Sequence, residues 1–126
     1  MLINFSNHPS EYWSKKQLEA AAIYGTINDI SFPAVEPEAE ENEISSLAEH
    51  YTKIICDVLS KVENSELSAV HIMGELSLCF SLVIRLQKLN IKCLCSTSKR
   101  IVSADNSNNK ISQFSFQKFR FYEYHK

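Results

Sequence analysis

Ala69-Val70-His71-Ile72-Met73-Gly74-Glu75-Leu76-Ser77-Leu78-Cys79-Phe80 decides the fold. Its first five residues read as a strand, and Gly74 bounds it. An apolar helix follows, carrying Leu76, Cys79, Phe80, Leu82, Val83, Leu86 and Leu89. Leu78 and Ile84 widen its apolar face almost all round, so it is expected to be deeply buried or shared with a partner. Ile91 to Ser96 reads as the next strand. A strand, a helix and a strand in succession define a crossover unit and a parallel pair.

The same alternation holds upstream. Leu2 to Phe5 is a first strand, broken by Ser6-Asn7-His8-Pro9. Ser10 suits the N-cap of a helix running to about Tyr24, with Gly25 as its stop. Thr26 to Phe32 is a second strand. Pro33 and Pro37 bracket an acidic stretch, Glu36 to Glu43, expected to be an exposed, mobile linker. Ile44, Leu47, Ala48, Tyr51, Ile54, Ile55, Val58, Leu59 and Val62 then fall on one helical face. The order β-α-β-α-β-α-β predicts a single α/β domain over 1–126, with a mostly parallel, doubly wound sheet and helices on both faces. Arg100–Ser103 and Lys110–Tyr124 flank the turn-forming Asp105–Asn109, which predicts a C-terminal β-hairpin. The phase of Phe114, Phe116, Phe119 and Phe121 slips near Gln117-Lys118 and suggests a bulge.

Composition bounds the function. The 126 residues carry a net charge of −2, which argues against general DNA binding. The charge is unevenly spread: residues 1–84 hold 13 acids and four Lys/Arg, while residues 85–126 hold two acids and nine Lys/Arg. The basic third suits a small anionic ligand or is a solvated face. With no long apolar run and no basic leader, neither a membrane span nor a signal peptide is expected. Cys56, Cys79, Cys93 and Cys95 form no C-x-x-C pair. They read as small buried side chains in a reducing, cytoplasmic setting.

In open parallel sheets a ligand sits outside the carboxyl ends of the strands, where strand order reverses. With order 2-1-3-4, three loops converge there: Ser6-Asn7-His8, Gly74-Glu75-Ser77, and Ser96-Thr97-Ser98-Lys99-Arg100. Hydroxyls, free helix N–H groups and the Lys99 and Arg100 charges suit a phosphate-bearing ligand. Each residue also has a structural reading. Ser6 and Ser10 are potential helix caps, and Gly74 serves a tight turn. Glu75 complements a helix dipole, Thr97 and Ser98 satisfy strand ends, and the phenylalanines are core. No Walker A, G-x-G-x-x-G, H-E-x-x-H, G-x-S-x-G or D-x-D pattern occurs, so phosphodiester chemistry is expected to run without a metal or cofactor.

At these loops the chain resembles small stand-alone CRISPR-associated proteins with a CARF-like, Rossmann-type fold. The resemblance lies in Leu2–Pro9, in Met73-Gly74-Glu75 leading into its helix, in Ser96–Val102, and in Phe114–Tyr122. It implies binding of cyclic oligoadenylates at a symmetric homodimer interface. It also implies ring-nuclease action on cyclic tetra-adenylate, which ends type III CRISPR signalling. On this reading His8, Ser98 and Arg100 are the catalytic candidates. Ser6, Asn7, Gly74, Glu75, Ser77, Thr97 and Lys99 are expected to bind the ligand. The ring's own ribose 2′-hydroxyl is the nucleophile, so the protein must chiefly position it and stabilise charge. A non-cleaving sensor or sponge, and a protein-interaction subunit, are the alternatives.

Overall fold

The computed structural model describes residues 1–102 and 110–119, with the side chains of 99–102 and 110–113 outside the description. Five strands form one sheet: β1 (Leu2–Ser6), β2 (Ile27–Ser31), β3 (Ala69–Met73), β4 (Cys93–Val102) and β5 (Lys110–Lys118). Their spatial order is β2-β1-β3-β4-β5. The first four are parallel and β5 runs antiparallel to β4. Strand order reverses between β1 and β3, as expected. The three helices are α1 (Lys15–Ala22), α2 (Glu41–Ser60) and α3 (Leu76–Lys88).

Both faces of the central strands are covered, which is why β1 reads as an unbroken buried run. On one face Ile3, Phe5, Val70 and Ile72 pack against Ile44, Ala48 and Ile55 of α2 and Leu78, Leu82 and Leu86 of α3. The other face is lighter: Leu2, Ala69 and Leu94 meet Trp13 and Ala21. At the carboxyl end of that face the rings of Trp13 and of Phe116 from β5 lie against His71.

Four local expectations are corrected. The first α-helix starts at Ser14 rather than Ser10. Ser14 Oγ accepts from Gln17 N at 3.3 Å, and Gln17 Oε1 accepts from Ser14 N at 2.7 Å, a reciprocal capping box. Ser10 instead opens a 3₁₀ turn, Ser10–Tyr12. Glu41–Glu43 belong to the first turn of α2, where acids complement the helix dipole, and are not linker. Residues 96–100 are not a loop: β4 runs on to Val102 because β5 pairs it continuously from Leu94↔Lys118 to Val102↔Lys110. β3 pairs β4 only at Val70↔Cys93 and His71↔Leu94. Continuing that register sets Ser96 level with Met73, so Thr97–Val102 reach past the sheet edge by roughly 20 Å, at about 3.3 Å per residue. The unbroken register also removes the suspected bulge. Phe114 and Phe116 differ from Phe119 in parity, so they face opposite sides of the sheet. The turn at Asp105–Asn109 and the ring of Phe121 lie outside the described residues.

Candidate functional site

β2, β1 and β3 each place one polar residue in the same row. Asn4 pairs with Asp29 of β2 on one side and with His71 of β3 on the other, and His71 pairs with Leu94 of β4. Two residues further along β4, and therefore on the same face, is Ser96. Asn4 is 1% exposed and His71 3% exposed. Polar groups buried this deeply need partners, and these find one another.

The hydrogen bonds define every role. Asn4 Nδ2 donates to Asp29 Oδ1 at 2.7 Å and to the His8 carbonyl at 2.9 Å. Both of those partners are acceptors, so the amide orientation is fixed and Asn4 Oδ1 faces His71 and Ser6. Ser6 Oγ donates to Asn4 Oδ1 at 2.8 Å. His71 Nδ1 lies 2.9 Å from the same oxygen and must carry a proton to bond it. Nε2 of the neutral ring is then a lone pair, and it accepts from Ser96 Oγ at 2.6 Å. Aromatic rings seal the imidazole: Trp13 edge-on at 5.7 Å and Phe116 at 5.1 Å. Trp13 Nε1 donates to the His8 carbonyl at 3.0 Å, which pins the loop after β1 from a second side.

Electrostatics follow from this burial. His71 is pushed down to about 4, first by desolvation and then by His8 nearby. It is neutral at pH 7, with its lone pair free to accept. Burial disfavours charge on Asp29, yet the Ser10 hydroxyl, the Asn4 amide and the Ser10 N–H outweigh it and hold the carboxyl below its ordinary value. Because His71 titrates lower in the folded than in the unfolded chain, the unfolded chain takes up the proton first as pH falls. The stability from the neutral ring is therefore complete above pH 6.5 and is lost between pH 6.5 and about 4. At about 1.4 kcal/mol per pH unit, the stability gap between wild type and His71→Gln should narrow by about 2–3 kcal/mol from pH 7 to pH 4.5. Urea unfolding at the two pH values measures this, and a constant gap contradicts it.

The residues singled out in the sequence divide. Ser6 lies in the network, and His8 contributes its carbonyl while its side chain is exposed. Asn7 and Ser98 are exposed, Ser98 on the Ser96 face of β4. Thr97 lies on the opposite face, with Oγ1 3.0 Å from Ser115 Oγ. Lys99 and Arg100 sit in β4 with their side chains outside the described residues. The N-termini of α1 and α3 are capped by side chains and are not free anion cradles. Glu75 caps α3, accepting from Ser77 N at 3.1 Å and Leu78 N at 2.8 Å, with the Ser77 hydroxyl also on its carboxylate. The Ser77 hydroxyl, then the Leu78 N–H, hold Glu75 below its ordinary value despite slight desolvation. Gly74 is required by packing: a Cβ there would lie 2.5 Å from the Phe32 ring. Cys79 and Cys93 are buried thiols, pushed up to about 11 and about 12 by desolvation, and so are unreactive. Among the described residues no group of three or more His, Cys, Asp or Glu is placed to share a metal ion. No helix among them is long and apolar enough to cross a membrane.

Asn4 and His71 were missed at the sequence level. The available signal was positional: each is the middle residue of a five-residue strand that is otherwise mostly apolar. Comparison with curated proteins and with solved structures returned no match. The model of the uncharacterized protein MJ1673 family matches residues 1–120. That match spans the sheet, all three helices and the whole polar row, and the chain belongs to the MJ1673 family.

Proposed function

We propose that the chain binds a cyclic oligoadenylate, expected to be cyclic tetra-adenylate, and cleaves it without metal to linear di-adenylate, ending type III CRISPR signalling. The observation that carries this reading is the hydrogen-bonded chain Asp29–Asn4–His71–Ser96, which runs from the middle of the strands beside the point where strand order reverses to Ser96 at the carboxyl edge of the sheet. It joins a hydroxyl to an uncharged imidazole whose tautomer is fixed, which suits proton transfer to and from a ribose hydroxyl. Aromatic side chains stand around it. Phe114 is half-buried and packs edge-on against Phe116 at 4.8 Å, and Tyr12, 78% exposed, precedes Trp13 in the chain; an adenine stacked on either gains about 1–3 kcal/mol.

The ring's two-fold symmetry fits two copies of the chain, each giving the same edge. Leu76 and Phe80, 84% and 70% exposed, open α3 at that same end of the sheet and supply an apolar surface for the second copy. Light scattering should therefore give twice the chain mass.

A second reading is a sensor or sponge that holds the ring intact. It is favoured by Glu75, whose carboxylate already occupies the α3 N–H groups that would otherwise stabilise developing charge. Incubation of purified protein with cyclic tetra-adenylate and a chelator separates the two. Mass spectrometry should show linear di-adenylate. Saturable binding with an intact ring would select the second reading, and no binding would reject both.

A further inference from the structure

Cleavage of an RNA ring needs a group that takes a proton from the attacking hydroxyl and gives it to the leaving oxygen. His71 is the buried base in this site, yet at 3% exposure it meets no ligand directly. Asn4 Oδ1 occupies Nδ1, and Trp13 and Phe116 cover the ring. The polar atom at Nε2 is Ser96 Oγ, on a half-buried residue where β4 leaves β3 behind. A proton from outside reaches Nε2 through that oxygen.

We infer that Ser96 is the catalytic residue that touches the substrate and that it relays a proton to His71 Nε2, with Asn4 and Asp29 as positioning residues that hold the imidazole in its Nδ1–H form. The substrate class is an RNA phosphodiester with a free neighbouring 2′-hydroxyl, so the inference rests on the function proposed above. The 2′-hydroxyl proton passes to Ser96 Oγ as the Ser96 proton passes to Nε2. The 2′-oxygen bonds to phosphorus and the bond from phosphorus to the 5′-oxygen breaks. The proton then returns along the same path to the 5′-oxygen. The products are a 2′,3′-cyclic phosphate and a 5′-hydroxyl; no water, oxidant or metal enters the balance. Neutral His71 is a weak base in the free protein, and the negative charge of a bound phosphodiester strengthens it at the moment it is needed.

This assignment takes proton transfer from His8 and Ser98, catalytic candidates read from sequence, which have exposed side chains. It gives the serine two residues earlier the proton-transfer role, because geometry connects that serine to a base. Ser96→Ala is the main test, since a half-buried hydroxyl at the sheet edge is removable without emptying the core. Binding of cyclic tetra-adenylate by calorimetry should stay within about 3-fold of wild type, while single-turnover cleavage falls about 10²–10⁴-fold. His71→Gln should show the same split, and Ser96→Thr should restore cleavage to within about 10-fold of wild type. Ser96→Ala cleaving within about 3-fold of wild type would overturn the relay. If wild type neither binds nor cleaves the ring, the proposed function fails, and the relay is judged by nitrogen NMR of His71 instead. An Nδ1–H, Nε2-acceptor tautomer at pH 7 whose Nε2 shift changes in Ser96→Ala supports the coupling. An Nε2–H tautomer, or no change, overturns it.

Discussion

Asn4→Leu is expected to slow cleavage of cyclic tetra-adenylate by about 10²–10⁴-fold and to destabilise the fold by about 2–4 kcal/mol. Leucine fills nearly the same space, so the effect reports polarity rather than volume. Four partners lose Asn4 at once. Three have somewhere to turn: Asp29 keeps Ser10, the His8 carbonyl keeps Trp13 Nε1, and the Ser6 hydroxyl has the His8 carbonyl at 3.2 Å. Among the described residues His71 Nδ1–H bonds only Asn4 Oδ1, and it stays buried. An orphaned buried donor costs about 1–3 kcal/mol, and the weakened bonds around it add to that. The imidazole relieves the orphan by moving its proton to Nε2, which then cannot accept from Ser96. Urea unfolding and the His71 tautomer measured together check this. A loss below about 1 kcal/mol with an unchanged tautomer would show that Asn4 does not govern the ring.

Phe5→Ala carries the largest expected loss of stability, about 3–5 kcal/mol. Phe5 is fully buried in the middle of the sheet and lies 4.8 Å, centroid to centroid, from both Phe32 and Tyr51. Removing the ring opens a cavity that rigid strands on either side cannot close. The damage also reaches the site edge. Phe32 packs over Gly74 so closely that a Cβ would clash, and without Phe5 its ring is free to leave that position. Denaturant unfolding should give a much lower midpoint with an unchanged slope. A loss under about 1.5 kcal/mol would mean that the core repacks around the hole.

The architecture was legible because its signals are local and repeated. Apolar five-residue runs ending at Ser6 or Gly74, and a 3.6-residue stripe from Ile44 to Val62, each name one element. Parallel pairing and strand order then follow from chirality and connection rules. The misses have physical causes. Ser10 and Ser14 are equally good caps by type, and only Gln17 three residues after Ser14 completes a box. β4 runs past Ser96 because of pairing with β5, a distant segment. Glu75 has both a ligand reading and a cap reading, and the local geometry supplies the cap. The site itself was half legible. Periodicity placed Ser6, His8 and Ser96 at the right edge. It gave no register between strands, so it could not set Asn4 beside His71, and a lone polar residue in a buried strand went unread.

On the proposed reading Ser96 meets the ligand at the carboxyl edge of the sheet and couples it to the buried His71 imidazole. The most direct measurement is a titration of isotope-labelled protein with cyclic tetra-adenylate, followed by NMR at the His71 imidazole, the Trp13 indole N–H and the Ser96 amide. Saturable shifts at all three, with one common affinity, are predicted. Saturable binding that moves other residues while these three stay fixed would contradict the site, and so would the absence of any binding.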